Sequence, residues 1–238
     1  MNKKKILVFA ATYNERDNIK HLINGIRKNL SNSSILIIDD NSPDQTQDAI
    51  KLLQKNDKKL NLIVRKKKLG LDTAHKQAFN YAIKNDFDFL VTMDADLSHD
   101  PKNLLEIVNN LYDFPFVIGS RYIQGGKCLM KGYRLKLSKY GNSFIKKFSG
   151  INCSEFTTSY RGFNIKKLNN FNLNNVNVSG YSFFMGTIFE INKQKIPIKE
   201  IPIIFNDRRN GISKIPKIEI FRTLKNLIYL TIKKHLNI

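Results

Sequence analysis

From residue 6 to residue 119, short apolar runs alternate with stretches whose apolar positions recur at helical spacing. Residues 6–11, 34–38, 60–65, 87–93 and 116–119 read as strands, and 18–30, 46–53, 71–85 and 101–111 as helices. In the first helix Ile19, Leu22, Ile23, Ile26 and Leu30 share one face. A chain that repeats strand and helix in this order is expected to form a mostly parallel, doubly wound, Rossmann-like α/β sheet flanked by helices. With 238 residues, no tandem repeat and no Pro-rich linker, a single domain is expected.

The second half is less regular. Residues 134–148 have the spacing of an amphipathic helix, and residues 198–205 that of a strand with Pro202 at an edge. Residues 207–214 form a basic, Gly-containing loop. Residues 215–236 place Ile220, Phe221, Leu224, Leu227, Ile228, Ile232 and Leu236 at helical spacing among Lys217, Arg222, Lys225, Lys233 and Lys234. Such a segment suits a membrane surface, and it equally suits packing on the domain's own core. No apolar run reaches the roughly 18–20 residues that span a bilayer. The N-terminus has the outline of a signal peptide, but its apolar part is short, and Thr12-Tyr13-Asn14-Glu15-Arg16 stands where small residues would mark cleavage. It reads as the first buried strand. Cys128 and Cys153 lack metal-ligand spacing and fit a reducing compartment.

Polar clusters fall where strands end, which is where an open α/β sheet keeps its ligand. The apolar run Phe89-Leu90-Val91 leads into Asp94 and Asp96. In a strand, residues i and i+2 point the same way, so both carboxylates can converge just past the strand end. That pair suits a hard divalent cation that also holds a diphosphate. An isolated Asp-x-Asp is more often an acidic surface turn. Here it is joined by Thr12-Tyr13-Asn14-Glu15, by Asp39-Asp40, and by the basic residues Arg121, Arg208 and Lys214. Carboxylates accept hydrogen bonds from a base or a ribose, and Arg and Lys clamp phosphate oxygens. The parts describe a nucleoside-diphosphate pocket with a divalent ion. No Gly-x-x-x-x-Gly-Lys-Ser/Thr loop and no Gly-x-Gly-x-x-Gly after the first strand are present, which disfavours ordinary ATPase and dinucleotide readings.

These segments together resemble the polyprenyl-phosphate mannosyltransferases (dolichol-phosphate mannose synthase type) of the inverting glycosyltransferase family 2, which have the GT-A fold. The segments that carry the resemblance are Ala11-Thr-Tyr-Asn-Glu-Arg-Asp-Asn-Ile19, Ile37-Ile-Asp-Asp-Asn-Ser-Pro-Asp44, Met93-Asp-Ala-Asp-Leu-Ser-His99, Val117-Ile-Gly-Ser-Arg-Tyr122 with Gly125-Gly126, Thr158-Ser-Tyr-Arg161 and Phe205-Asn-Asp-Arg-Arg-Asn-Gly-Ile-Ser-Lys214. The resemblance implies a GT-A domain over 1–214 and a basic C-terminal helical segment over 215–238. It implies that Tyr13, Glu15 and Asp40 hold the donor's base and ribose. Asp94, Ala95 and Asp96 would engage the sugar nucleotide, and Asp94, Asp96 and Ser98 the metal, Mg²⁺ or Mn²⁺. Arg121, Arg208 and Lys214 would meet phosphates, which gives a catalytic set of Asp96, Arg121, Arg208 and Lys214. Three segments depart from the pattern: Ala11 stands for the usual Pro, Tyr160 for Gly, and Phe184 and Gly186 for Gln and Glu.

The expected function is metal-dependent, inverting transfer of a sugar, mannose from GDP-mannose, to a polyprenyl phosphate at the cytoplasmic face of a membrane. A related family 2 enzyme using a UDP-sugar or a glycan hydroxyl acceptor is the alternative. The net charge of +20 suits phosphates and an anionic membrane surface. A basic nucleic-acid-binding module with a degenerate pocket is the third reading. It lacks the aromatic and basic interleaving of single-strand binders, and no nucleic-acid partner is expected.

Overall fold

The computed structural model describes residues 4–207 and 218–236. Strands β1 (Ile6–Thr12), β2 (Ser34–Asp39), β3 (Leu60–Val64), β4 (Phe89–Asp94) and β5 (Phe116–Ser120) alternate with helices α1 (Arg16–Asn29), α2 (Thr46–Gln54), α3 (Leu71–Lys84) and α4 (Leu104–Leu111). A short strand β6 (Lys127–Cys128), a long helix α5 (Gly132–Ser149), β7 (Arg161–Asn164), α6 (Ser182–Lys193), β8 (Ile198–Pro202), β9 (Ile204–Phe205) and α7 (Ile218–Leu236) complete the chain. Seven strands form one sheet in the order β3-β2-β1-β4-β7-β5-β8, and β6 pairs with β9 beside it.

Alternate residues of each strand supply opposite faces of the sheet. Leu7, Phe9, Leu36, Ile38 and Leu90 pack with Ala74, Ala78 and Phe79 of α3 and with Phe183, Met185 and Ile188 of α6. Val8, Ala10, Ile35, Ile37, Val91 and Met93 pack with α1, Ile50 of α2, and Leu104 and Ile107 of α4. Helices cover both faces, so the strands read as unbroken apolar runs. The mostly parallel sheet is the expected one.

Two elements depart from the sequence reading. β7 runs antiparallel between β4 and β5, with Thr92 opposite Arg161 and Ile118 opposite Arg161. Gly162 lets it pass beneath α4, since a Cβ there would sit 2.6 Å from Ile107 Cγ2. The segment expected as one strand over 198–205 is instead two. β8 ends at Pro202 on the sheet edge, and β9 turns away to pair with β6. Helix α7 packs on the domain's own core along one side. Leu227 is buried against the core, whereas Phe221, Leu224, Ile228 and Ile232 are exposed. Among the described residues no helix is long and apolar enough to cross a membrane.

Candidate active site

Because β1, β2, β4 and β5 point the same way, their C-terminal ends meet on one edge. Thr12 stands opposite Asp39, and Ala11 opposite Asp94. The first two clusters are stitched together by Asp39, which is fully buried. It accepts hydrogen bonds from Thr12 Oγ1 (2.8 Å), Ser42 N (2.8 Å), Ser42 Oγ (2.6 Å) and Gln47 Nε2 (3.1 Å). The turns that follow use left-handed residues, Asn14 (φ 58°) and Asn41 (φ 59°), a conformation Asn tolerates. Asn14 N donates to Ser42 Oγ (2.9 Å) and Glu15 N to Thr46 Oγ1 (3.0 Å). Tyr13 and Glu15 are thereby held half-buried on the edge, with the Lys68 ammonium 4.2 Å from the Tyr13 ring centroid. Asp40 lies beside them. It is ion-paired with Arg65 and accepts from Gly70 N (3.3 Å).

Asp94 and Asp96 are placed by different elements, and both lie near enough to His99 to act on its charge. β4 ends at Asp94, and Asp96 belongs to the turn beyond, where Leu97 is left-handed (φ 64°). Asp94 Oδ1 accepts from the Ser159 hydroxyl, which β7 brings across the sheet edge. Asp96 Oδ1 accepts from Ser98 N (3.1 Å) and Ser98 Oγ (2.6 Å). Ser98 is completely buried, so its hydroxyl stands behind Asp96 and orients it. This differs from the metal-ligand place that the resemblance implies for Ser98. Ala95 turns its side chain into the core beneath β4, so only its backbone remains for a donor.

Beneath the pair lies His99, fully buried. Its Nδ1 accepts from the Asp94 backbone N–H at 3.0 Å. A backbone amide can only donate, so Nδ1 carries no proton, and Nε2 carries the ring's proton toward Thr158 Oγ1 (3.1 Å). Burial lowers the imidazole pKa, against the raising influence of Asp94 and Asp96. His99 is thus a neutral strut with both nitrogens committed. Tyr160, in place of the family's Gly, stacks on it with ring centroids 4.8 Å apart and donates its hydroxyl to Asp100 O (2.9 Å).

Arg121 differs from expectation in a second way. Its guanidinium is buried and forks onto Glu155, with Nε to Oε2 and Nη2 to Oε1 both at 2.7 Å, and Nη2 also reaches Thr157 Oγ1 (2.7 Å). Burial works against both charges. For Glu155, the Arg121 cation and the hydrogen bonds more than offset it and hold the carboxyl below its ordinary range. For Arg121, Glu155 likewise keeps the guanidinium charged. A phosphate would therefore meet a cation already matched within the protein. Sequence reasoning missed Glu155, because nothing local marks residue 155 as the partner of residue 121. Arg208 and Lys214 lie outside the described residues.

Arg161 stands in the sequence only as the last residue of a motif, yet it organises the far side of the site. Fully buried, it donates to Thr158 O (2.9 Å), Phe156 O (3.2 Å) and Phe184 O (2.8 Å), and its cation lies over the Phe184 ring. Burial lowers its pKa to about 9, partly opposed by Cys153 and Glu155. Phe184 belongs to the core around it. At Gly186 a Cβ would sit 2.4 Å from Val178 Cγ2 and 2.9 Å from Val176 Cγ1. The room for the family's carboxylate is thus filled by valines. Gly186→Ala is expected to destabilise the protein by about 1–3 kcal/mol through overpacking, and thermal melting checks it. An unchanged melting temperature would mean that residues 176–178 yield freely.

The donor set suits a divalent ion held jointly with a substrate. Asp94 and Asp96 supply hard oxygen ligands, and Mg²⁺-like ions are commonly bound by one or two carboxylates plus substrate phosphates. Among the described residues no group of three or more His, Cys, Asp or Glu side chains forms a cage that would hold an ion alone.

A mostly parallel sheet flanked by helices, with a carboxylate pair at its C-terminal edge, defines a protein of the GT-A fold. The model of the family described as "Glycosyl transferase family 2" matches residues 7–171, and the chain belongs to that family, as a glycosyltransferase. It is 30% identical over 215 residues to a polyprenol monophosphomannose synthase of Mycolicibacterium smegmatis, covering 89% of this chain and 81% of that protein. It is 30% identical over 212 residues to an undecaprenyl-phosphate mannosyltransferase of Micrococcus luteus, covering 89% and 87%. Among solved structures it is similar to a Mycobacterium tuberculosis glucosyl-3-phosphoglycerate synthase in complex with Mn²⁺, UDP and glucosyl-3-phosphoglycerate. There the TM-score is 0.69 at 14% identity, over 97% of this chain and 80% of the other. It is also similar to a mannosyltransferase of Pyrobaculum calidifontis in complex with GDP-mannose and Mn²⁺, with a TM-score of 0.60 at 17% identity over 100% and 66%.

Proposed function

We propose that this glycosyltransferase moves mannose from GDP-mannose to a polyprenyl phosphate, with inversion and a divalent ion, Mg²⁺ or Mn²⁺, at the cytoplasmic face of a membrane. The two relatives at 30% identity are named for mannosyl transfer to a polyprenyl phosphate. That identity over 89% of the chain is the observation that carries the reading. The site is compatible with it: His99 has both ring nitrogens in hydrogen bonds, and the valines packed at Gly186 stand where the family has a carboxylate, a loss that a phosphate acceptor tolerates. A sugar hydroxyl acceptor calls for a general base. A phosphate oxygen is already anionic near neutral pH and needs only to be aligned with the anomeric carbon.

Each part of the edge has a task in that reaction. Tyr13, Glu15 and Asp40 hold the nucleoside. Asp94 and Asp96 hold the ion, whose charge would stabilise the leaving diphosphate electrostatically. Ser98, Ser159 and His99 fix the two carboxylates in place before substrate arrives. Arg121 sets the wall of the phosphate region through Glu155, and Arg208 and Lys214 supply further cations for phosphate oxygens.

Calorimetric titration with GDP-mannose, GDP-glucose, UDP-glucose and UDP-N-acetylglucosamine, each with Mg²⁺ or Mn²⁺, tests the donor. Ion-dependent binding of GDP-mannose above the others is expected. Transfer of labelled mannose to a short-chain polyprenyl phosphate tests the acceptor. Preferred binding of a UDP-sugar, or product formed only on a glycan hydroxyl, would replace this reading.

A further inference from the structure

Three consecutive residues just before β7 close on one carboxylate. Ser159 Oγ donates to Asp94 Oδ1. Thr158 Oγ1, on one side of it in the chain, meets His99 Nε2 at 3.1 Å. Tyr160, on the other side, lays its ring along the His99 ring, with 28° between the planes. The middle residue thus holds the Asp94 side chain. The two that flank it hold the histidine whose Nδ1 accepts from the Asp94 backbone. Thr158, Tyr160 and His99 are all buried.

Phe205 is a second aromatic neighbour of the imidazole. Its ring meets that of His99 at 74°, with centroids 5.3 Å apart, and the two residues form an antiparallel bridge. The next amide, Asn206 N, donates to Ser98 O (3.0 Å), so the end of β9 also grips the turn that carries Asp96. The Arg121 guanidinium lies 5.0 Å from the centroid of the same Phe205 ring.

Only one orientation of the His99 ring serves the site. A half-turn about its Cβ–Cγ bond would set a C–H against the Asp94 amide and leave that buried donor unpaired. A flat ring stacked on His99, with a second ring set against it at a steep angle, opposes such a turn by contact alone. Tyr160 is itself pinned. Its carbonyl accepts from Gly119 N (2.9 Å), its amide donates to Thr158 Oγ1 (3.2 Å), and its hydroxyl donates to Asp100 O (2.9 Å). A Gly, usual for the family at this place, offers no ring, so the wedge belongs to this chain.

We propose that Tyr160 is a positioning residue for the divalent ion: by wedging His99 against Phe205, it holds the Asp94 amide and so fixes a carboxylate that takes the ion. This rests on the reading of Asp94 and Asp96 as the ion's ligands. It does not depend on which base, sugar or acceptor the enzyme uses. Groups that orient a metal ligand from behind are commonly worth about tenfold to a hundredfold in affinity for the metal.

Titration of the full chain with Mn²⁺, followed by the EPR signal of the free ion, reads the proposal without turnover. It is run with GDP and, in parallel, with UDP. His99→Leu should weaken Mn²⁺ binding by about tenfold or more. Tyr160→Leu, which fills space without a flat ring, should weaken it by about three- to tenfold. Tyr160→Phe keeps the ring and should bind Mn²⁺ within about twofold of wild type. His99→Asn puts an amide oxygen where Nδ1 accepts but leaves no ring to wedge. Adding Tyr160→Leu to it should therefore cost no further affinity. Phe79→Leu, at a buried aromatic of α3, should lower the melting temperature and leave Mn²⁺ binding unchanged. Should Tyr160→Leu fail to fold, Phe205→Leu, at a half-buried position, removes the opposing ring and should show the same loss. Wild-type Mn²⁺ affinity in the folded variant would overturn the proposal. So would an undiminished further loss in the His99→Asn background. A wild-type protein that does not bind Mn²⁺, or an Asp96→Asn variant that binds it equally well, would overturn the ion reading itself, and the proposal with it.

Discussion

Asp96→Asn should reduce mannosyl transfer by roughly a hundred- to a thousandfold, the scale seen when one charge-stabilising group is removed from an active site. The protein should stay folded. An asparagine oxygen can still accept from Ser98 N (3.1 Å) and Ser98 Oγ (2.6 Å), so the turn keeps its hydrogen bonds. What is lost is the anionic ligand that a hard cation prefers. Ion-dependent binding of the sugar nucleotide should weaken in parallel, measured by titration with and without Mn²⁺. Ser98→Ala should give a smaller loss, because it removes only the group that orients Asp96. If the Asp96→Asn enzyme turns over at the wild-type rate, Asp96 has no part in the site.

Breaking the Arg121–Glu155 pair should have the largest effect on stability. Glu155→Gln leaves a buried guanidinium without its counter-charge, which costs about 3–5 kcal/mol. In a chain of this length that corresponds to a fall in melting temperature of about 6–20 °C. Arg121→Met combined with Glu155→Leu removes both charges and should recover much of the loss. If the double variant melts no higher than Glu155→Gln, the side chains act through packing instead of charge. The pair also gives stability a pH dependence. The folded Glu155 carboxyl is held below its ordinary value of 4.5, so the unfolded chain takes up the proton first as pH falls. The stabilisation is complete above pH 4.5 and is lost progressively below it. That slope should disappear in the double variant.

The parallel half of the fold was legible because its signal is local. Each of β1 to β5 is a short apolar run next to a helix with a repeating face, and the observed bounds match within a few residues. β7 carries no such signal. Arg161-Gly162-Phe163-Asn164 has no apolar alternation, and it is a strand only because β4 and β5 grip it from both sides. α6 is silent for the opposite reason. Residues 182–189 are buried all round, so no polar face announces a helix. At the site, Tyr13, Glu15, Asp40, Asp94 and Asp96 could be placed on one edge from strand ends alone. The partners that hold them could not be read. Ser159 acts on Asp94 and Glu155 on Arg121 from far away in sequence, and the antiparallel return of the chain into β7 brings them near.

That return also dictates how the chain must be assembled. β4 and β5 never touch, because β7 lies between them. During synthesis β4 emerges long before residues 161–164, so its outer edge waits with unpaired backbone groups while α4, β5 and α5 are made. An open strand edge is a template for pairing with another chain. A nascent or truncated polypeptide that stops short of residue 164 exposes that edge on β4 and leaves β5 without its neighbour, a combination that invites aggregation. The four residues of β7 therefore act as the keystone of the sheet. Until they arrive, the first half of the chain is a half-built arch, and the carboxylate pair at the end of β4 lacks the Ser159 hydroxyl that sets Asp94.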